Sequence, residues 1–199
     1  MHMTFGKRGF FGYQVTPSGE IFWFQNLVRS DEPDREELDA VSDDEWREEL
    51  LGVHRHDHEP IAGIIRSTEG RIGRFPIYDI PSLPAWHRGP VCLIGDAAHA
   101  TSPHAGQGAS TALEDAIVLA RCLRDLPDAE GAFAAFERLR KDRVERIVAG
   151  ARRTGNQKVP SNALTRSLRD LVLPFFLKMG VKDAERIYSY RVGWDEKVA

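Results

Sequence analysis

The sequence predicts a mixed α/β fold, and three stretches carry that prediction. Residues 89–116 change from a short apolar run, through a loop of small residues, into a segment with helical periodicity. Residues 10–26 hold two alternating aromatic runs around a turn, a pattern typical of a β-hairpin. Beyond residue 116, apolar residues recur at a spacing near 3.6, which predicts that most of the remaining chain is helical.

Residues 89–116 organise the rest of the chain and read GPVCLIGDAAHATSPHAGQGASTALEDA. The apolar, partly β-branched run predicts a buried strand over Val91–Gly95. A loop of Ala, Thr, Ser, Pro and Gly residues follows it. A helix is predicted to begin near Gln107, where apolar residues take up helical spacing.

Two features of this stretch suit a ligand. Asp96 lies at the carboxyl end of the predicted strand, where open α/β sheets bind ligands, and its carboxylate can accept hydrogen bonds from sugar-type hydroxyls. Glycines at a helix start let a flat molecule approach the backbone N–H groups, which favour negative charge together with the helix dipole. The pattern therefore suits an aromatic ring system that becomes anionic when it is reduced.

The same stretch resembles the GD motif of the FAD-dependent aromatic hydroxylases, the class A flavoprotein monooxygenases similar to para-hydroxybenzoate hydroxylase. That pattern runs roughly GDAAH, three residues, Pro, two residues, GQG and later EDA, all of which occur here in order. The resemblance implies that Asp96 binds the ribityl chain of FAD, that Pro103 lies beside the isoalloxazine, and that amides of residues 106–108 face the pyrimidine edge. Ser110 stands where many members have Asn.

Residues 95–110 are called the GD segment from here on. The cofactor-binding residues expected from the resemblance are Gly95, Asp96, Pro103, Gly106, Gln107, Gly108, Ala109 and Ser110. Pro103 and His104 are the candidates for shaping the space over the flavin ring. His99 is expected to make a structural hydrogen bond within the loop, and no general acid or base is identified. The alternative is a strand–loop–helix connection that binds nothing.

The resemblance also implies a reaction. NADH or NADPH reduces the flavin, O2 then forms a flavin C4a-hydroperoxide, and that species hydroxylates an aromatic or similar small organic substrate. A halogenase, epoxidase or reductase of the same fold is one alternative. A non-catalytic remnant, or a subunit whose partner supplies the dinucleotide-binding half, is another.

The dinucleotide-binding half of such an enzyme is not recognisable in the sequence. Members hold the FAD pyrophosphate on a strand followed by a G-x-G-x-x-G turn, and no such motif occurs; Gly6–Gly12 has the wrong spacing. We therefore expect part of a substrate-binding domain with an antiparallel sheet in residues 1–88, the carboxyl-terminal part of a Rossmann-like FAD-binding domain in 89–150, and carboxyl-terminal helices in 151–199. A missing amino-terminal half or a second protomer, and self-association of the chain, are expected partners.

Composition narrows the class of protein. The chain has 199 residues, 42% hydrophobic and 29% charged, which is typical of a globular protein. Its net charge of −3 gives no general attraction to nucleic acid or to anionic membranes. No run is apolar enough to cross a bilayer, and the amino terminus does not look like a signal peptide. The expected location is the cytoplasm, with Cys92 and Cys122 as buried free thiols.

The remaining amino-terminal part predicts helices, a strand and one ambiguous histidine cluster. A charged linker over Arg29–Asp39 is followed by a capping box of Ser42 and Glu45. That box begins a helix ending near Gly52, and its residues expected to point inward are Trp46, Leu50 and Leu51. A second helix is predicted over Pro60–Ser67, and an edge strand with a bend at Pro76 over Arg71–Ile80.

Several side chains in this part allow two interpretations. The hairpin aromatics either line a substrate pocket or pack the core. His54, His56 and His58 either bind a metal or belong to a solvated loop, and the loop is preferred because alternating residues rarely close a metal site alone. Arg74 and Tyr78 either face the flavin or substrate, or form a surface salt bridge and a core contact.

The carboxyl-terminal part predicts one long helix and several shorter elements. The helix should run from residue 128 or 129 to about Gly150. Its apolar face would consist of Phe133, Phe136, Leu139, Val144, Ile147 and Val148. The opposite basic face, Arg138, Arg140, Lys141, Arg143 and Arg146, has interleaved acids and is expected to be solvated rather than to bind nucleic acid. A loop over 151–161, an apolar helix over 162–179 kinked at Pro174, and a short helix over 183–190 complete the prediction.

Overall fold

The computed structural model describes residues 1–27, 32, 34–157, 167–168, 171–172, 185 and 187–198. The chain divides into two compact units, Met1–Pro76 with Gln157–Pro174 and Ile77–Asn156 with Phe175–Ala199. Small antiparallel sheets and long helices confirm the predicted mixed α/β fold. The predicted domain boundaries at residues 88 and 150 stay predictions.

The first unit begins with a three-stranded antiparallel sheet. Strands β1 (His2–Phe5), β2 (Phe10–Val15) and β3 (Ile21–Asn26) pair in that order. The β2–β3 hairpin is the one predicted, and Gly19 adopts a φ of 88° in its turn, a conformation that favours glycine. Strand β1 was not predicted because four residues give too short a pattern to identify.

The hairpin aromatics mostly pack the core. Phe10 and Phe11 are fully buried although neighbours in a strand point to opposite faces, so both faces of β2 are covered here. Phe11 stacks on Trp23 with ring centroids 5.3 Å apart. Phe22 is 64% exposed, which leaves it outside this core. The core interpretation therefore holds for the inner rings of the hairpin.

Three helices follow the sheet: α1 (Arg35–Ala40), α2 (Asp43–His54) and α3 (Ile61–Ser67). The predicted linker is wrong over residues 35–39, because the Asp34 side chain accepts a hydrogen bond from the Glu36 N–H and starts α1. Residues 29–31 and 33 lie outside the described residues.

Helix α2 begins as predicted. The Ser42 hydroxyl accepts a hydrogen bond from the Glu45 N–H at 3.2 Å, and the Glu45 carboxylate accepts one from the Ser42 N–H at 3.0 Å. Trp46 and Leu50 are buried as expected, while Leu51 is only partly so. The helix continues past Gly52 to His54, since an interior glycine weakens a helix without ending it.

His54 corrects the solvated-loop interpretation. It is 1% exposed, its Nδ1 lies 2.8 Å from Asp57 Oδ2, and its ring meets Phe11 edge-on. This histidine is therefore part of the core of the first unit. Within the described residues, no group of three or more His, Cys, Asp and Glu residues is placed to hold a metal ion.

Residues 71–80 do not form the predicted strand. Arg74 instead donates hydrogen bonds to the carbonyls of Leu38 and Val41 and to the Asp43 carboxylate at 2.7 Å, and its guanidinium lies over the Trp46 ring. These contacts hold the chain around Arg74 against the α1–α2 junction, where its neighbours are helices and not a strand. Arg74 therefore serves packing and ion pairing.

The second unit contains a short hairpin and two long helices. Strands β4 (His87–Arg88) and β5 (Val91–Cys92) pair antiparallel. A four-residue helix α4 (Asp96–His99) follows, then a 3-10 turn at Pro103–Ala105 and the helices α5 (Gly108–Asp125) and α6 (Ala129–Gln157). The core of this unit is built around Trp86, Ala98, Val118, Cys122, Ala132, Ala135, Phe136 and Val144.

Three predictions for this unit need correction. The strand predicted over Val91–Gly95 spans two residues, and Val91 is 59% and Ile94 40% exposed, because within the described residues only β4 pairs with it. Gly95 and Asp96, expected to end the strand before a loop, instead begin helix α4. The loop predicted over 151–161 is helical to Gln157, and its remainder lies outside the described residues.

Most of the helix predicted over 162–179 also lies outside the described residues, whereas residues 185, 187 and 188 of the helix predicted over 183–190 are helical. Both cysteines are free thiols, Cys122 buried and Cys92 partly so. Burial raises the pKa of both thiols, which favours the unreactive protonated form. In the described part of the chain, no helix combines the length and apolarity that crossing a bilayer requires.

Candidate functional site

The GD segment folds into three short pieces that lead into a long helix. Gly95 precedes α4 with a φ of 56°, and Gly106 follows the 3-10 turn with a φ of 61°. Both values lie in the left-handed region that glycine adopts without strain. Helix α5 then begins at Gly108, next to the predicted Gln107. The predicted helix start is therefore confirmed.

Packing is a second reason, besides the positive φ, for a glycine at position 95. A Cβ placed there would lie 3.1 Å from the Ala112 Cβ, so the strand end and α5 approach closely only because the side chain is missing. This close approach brings the beginning of α4 next to the beginning of α5.

The predicted site residues divide into an exposed set and an anchoring set. The exposed residues are Asp96, Pro103, Gly106, Ala109 and Ser110, and Gly108 is half-buried. Gly95 and Gln107 are buried. The Gln107 side-chain amide folds back to donate to the Gly106 carbonyl at 3.3 Å, so the side chain does not project outward.

Asp96 and the start of α5 lie together at the exposed surface. A Cβ placed on Gly108 would lie 4.0 Å from the Asp96 Oδ1 atom. The Gln107 side chain does not cap α5, and the first amides of any helix lack an acceptor within that helix. A carboxylate that accepts from hydroxyls and amides that donate to an anion are therefore presented side by side.

Two buried hydroxyls beside this surface have no hydrogen-bond partner among the described residues. They are Thr101 Oγ1 and Ser102 Oγ. Buried polar atoms are normally satisfied, so an additional polar group is expected near them. Unpartnered hydroxyls, an exposed carboxylate and a glycine-rich helix start fit the polar and flat parts of FAD.

The two candidates for shaping the space over the flavin, Pro103 and His104, differ in their exposure. Pro103 is exposed, whereas the His104 ring packs against the backbone of Gly155 in α6. Sequence reasoning also missed Tyr188, whose hydroxyl lies 3.7 Å from the position of a Cβ on Gly106. No sequence signal marked it, because the two residues are far apart in the chain.

A buried network of ion pairs and hydrogen bonds anchors the GD segment on its core side. One oxygen of Asp115 accepts from the Gly95 N–H at 3.0 Å and lies 2.6 Å from His99 Nε2. The other accepts from Arg140 Nε at 2.7 Å. Asp115 and Arg140 are fully buried. His99 therefore bonds to α5 and not within the loop as expected.

The network continues along α5 and α6. Arg140 donates to the Thr111 carbonyl and pairs with Glu114 at 2.7 Å. Arg143 binds the same Glu114 carboxylate with two hydrogen bonds, and Tyr190 lies 3.8 Å below its guanidinium. Helices α5 and α6 are thus joined by paired charges at the level of the GD segment.

The predicted faces of α6 were wrong at two neighbouring residues. Arg140, expected in solvent, is fully buried, while Leu139, expected in the core, is 46% exposed. The available signal was the consecutive Glu114 and Asp115. A buried carboxylate needs a cationic partner, and α6 offers the arginines.

The surroundings of Asp115 determine its protonation. Burial alone would raise its pKa, but the hydrogen bonds from His99, the Gly95 N–H and Arg140 outweigh burial and hold the pKa below its usual 3.8. A group whose folded pKa lies below its unfolded pKa stabilises the fold fully above the unfolded pKa and loses that contribution as pH falls through the folded pKa.

We predict that Asp115→Asn lowers the free energy of unfolding at pH 7 by about 3–5 kcal/mol, because the fully buried Arg140 loses one of its two carboxylate partners. The difference from the wild type should shrink as pH falls below about 4, because the Asp115 carboxyl takes up a proton there in the unfolded chain, while its lowered pKa keeps it charged in the folded chain until a lower pH. Urea unfolding at pH 7, 5, 4 and 3 measures this. Asp142→Asn, at an exposed position on α6, is the control and should change little. A difference that stays constant down to pH 3 would contradict the prediction.

Residues 9–151 match the FAD binding domain family. Aurachin C monooxygenase/isomerase of Stigmatella aurantiaca is 32% identical over 164 residues, which cover 82% of this chain and 41% of that protein. The FAD-dependent urate hydroxylase of Klebsiella oxytoca is 44% identical over 93 residues, covering 47% of this chain and 23% of that one.

A solved structure gives the same result. HpxO of Klebsiella pneumoniae, complexed with FAD and uric acid, superposes with a TM-score of 0.77 at 25% identity over 94% of this chain and 48% of that chain. The chain spans less than half the length of these proteins. The matched region includes both the GD segment and the residues that anchor it. The chain therefore belongs to the FAD binding domain family, in which these flavin-dependent monooxygenases and hydroxylases are its relatives.

Proposed function

We propose that the protein containing this chain is a FAD-dependent monooxygenase that uses NADH or NADPH and O2 to hydroxylate an aromatic or similar small ring compound. The observation that carries the proposal is the placement of the Asp96 carboxylate beside the uncapped, glycine-rich start of α5. The relatives named for urate hydroxylation, and the neighbouring structure with FAD and uric acid, support both the cofactor and a small ring-shaped substrate.

In this proposal the chain binds and orients the flavin. Asp96 accepts hydrogen bonds from the ribityl hydroxyls, and the amides of residues 106–110 donate to the pyrimidine edge, where negative charge develops on reduction. Pro103 borders the space over the ring. The bound flavin supplies the redox chemistry with O2. The two free thiols agree with the reducing cytoplasm that we propose as its location.

We propose in addition that tight FAD binding needs a segment outside these 199 residues, or a second protomer. The pyrophosphate of a dinucleotide is normally held at the first strand–turn–helix of such a fold, and residues 1–199 contain no glycine fingerprint for it. Exposed apolar residues on β5 and α5, such as Val91 and Leu113, would be covered by that segment or by self-association.

The reaction is tested by following NAD(P)H oxidation and O2 uptake in the full-length protein with a panel of hydroxyaromatic and heterocyclic compounds. We expect at least one compound to stimulate both and to yield a product heavier by one oxygen atom in mass spectrometry. Stimulated NAD(P)H oxidation without an oxygenated product would indicate a reductase. A folded, flavin-loaded protein that consumes neither reductant nor O2 would contradict the proposed activity.

Asp96→Ala in the full-length protein should weaken FAD binding by about 1–3 kcal/mol, because charge-assisted hydrogen bonds to the ribityl chain are lost. Titration of FAD, followed by quenching of its fluorescence, gives the dissociation constant. Asp142→Ala removes an exposed carboxylate outside the GD segment and should leave the constant unchanged. Equal constants for Asp96→Ala and the wild type would exclude the ribityl role.

The isolated 199-residue chain should bind FAD weakly and associate with itself. Each missing pyrophosphate hydrogen bond is worth roughly 1.5–3 kcal/mol, and uncovered apolar surface favours association. Gel filtration with light scattering, together with a visible spectrum of the purified chain, measures both. A monomer with stoichiometric bound flavin would show that these residues contain the whole site.

A further inference from the structure

The carboxylate of Asp115 is fully buried, yet it accepts a hydrogen bond from the residue that precedes Asp96. Its Oδ2 atom accepts the Gly95 N–H at 3.0 Å and lies 2.6 Å from His99 Nε2. Gly95 immediately precedes α4, and His99 ends it. One oxygen atom therefore holds both ends of the four-residue helix that begins with Asp96.

Helix α4 has little else to fix its direction. A helix of four residues is too short to be stable by itself, so its orientation depends on tertiary contacts. Gly95 makes no side-chain cap for it and can adopt many backbone conformations. Its anchors in the described residues are the packing of Ala98 and His99 against Trp86 and the two bonds to Asp115.

Asp115 is also held from its other side. Arg140 Nε donates to its other oxygen at 2.7 Å, and Arg140 also binds the Thr111 carbonyl one turn earlier in α5. All three residues are buried to at least 99%. Asp115 is thus a rigid reference point on α5, the same helix whose start lies beside the Asp96 carboxylate.

We propose that Asp115, held by Arg140, is a positioning residue for the flavin site, which aims the Asp96 carboxylate through Gly95 and His99. The inference rests on the proposed FAD site. It differs from a purely structural role for the ion network, because it requires that Asp115 affects FAD only through Asp96.

A double-mutant cycle on the full-length protein tests this. Asp115→Asn should weaken FAD binding roughly tenfold when Asp96 is present and less than about twofold in the Asp96→Ala background, because interacting residues are not additive. FAD titration gives the four dissociation constants, and circular dichroism verifies folding of each variant. Glu114→Gln is the matched control: it also takes a carboxylate from Arg140, but its partners Arg140 and Arg143 lie on α6, and it should change FAD affinity less than about twofold.

His99 provides a second route if Asp115→Asn does not fold. His99→Leu removes one bond of α4 while Asp115 keeps Arg140, and it should weaken FAD binding in the same non-additive way. His99→Gln, whose amide can donate to Asp115, should restore most of the affinity.

The outcomes separate the two proposals. Equal losses with and without Asp96, or equal effects of Asp115→Asn and Glu114→Gln, would overturn the positioning role while leaving the FAD site intact. A strong effect of Asp115→Asn with no effect of Asp96→Ala would overturn both the positioning role and the ribityl role of Asp96. A full-length protein that does not bind FAD would overturn the proposed function and this inference with it.

Discussion

The second unit depends on one buried ion pair, that between Asp115 and Arg140. Taking two charges out of water is costly, and the cost is offset only when every partner is well placed. Here Asp115 also receives the Gly95 N–H and His99, and Arg140 also binds Glu114 and the Thr111 carbonyl. The need to satisfy these charges fixes helix α5, helix α6 and the strand end relative to one another. The exposed surface of the GD segment follows from that arrangement.

The local features of the fold could be predicted because their causes are local. The β2–β3 hairpin, the Ser42–Glu45 capping box and the helix start at Gly108 are each encoded within a few neighbouring residues. The motif from Gly95 to Asp115 also identified the family, because the order of its residues is unusual. What the motif could not give was which of its residues are exposed and which face the core.

The errors share a different cause, which is contact over long distances in sequence. Arg74 was placed in a strand, but its partners at Leu38, Val41 and Asp43 lie more than thirty positions earlier. His54 was placed in a solvated loop, although its environment is set by Phe11 of the sheet. Arg140 was expected in solvent because a helical pattern assigns polar side chains to the exposed face. The pattern holds no information about a buried carboxylate on another helix. Such residues become visible only when the partners are known.

Helix α6 contacts the segment that precedes α5 at several points along its length. The Glu137 carboxylate accepts a hydrogen bond from the Trp86 N–H, and the Glu145 carboxylate accepts one from the Ser82 hydroxyl. Further along α6, Arg152 donates to the Asp79 carboxylate, and the His104 ring packs against Gly155. Each added or deleted residue rotates everything beyond it by about 100° around the helix axis. Substitutions on the solvent face of α6 alter single contacts, but a change in its length would move these anchors out of register together. The spacing between Glu137 and Gly155 should therefore resist insertions and deletions far more than it resists changes in residue type.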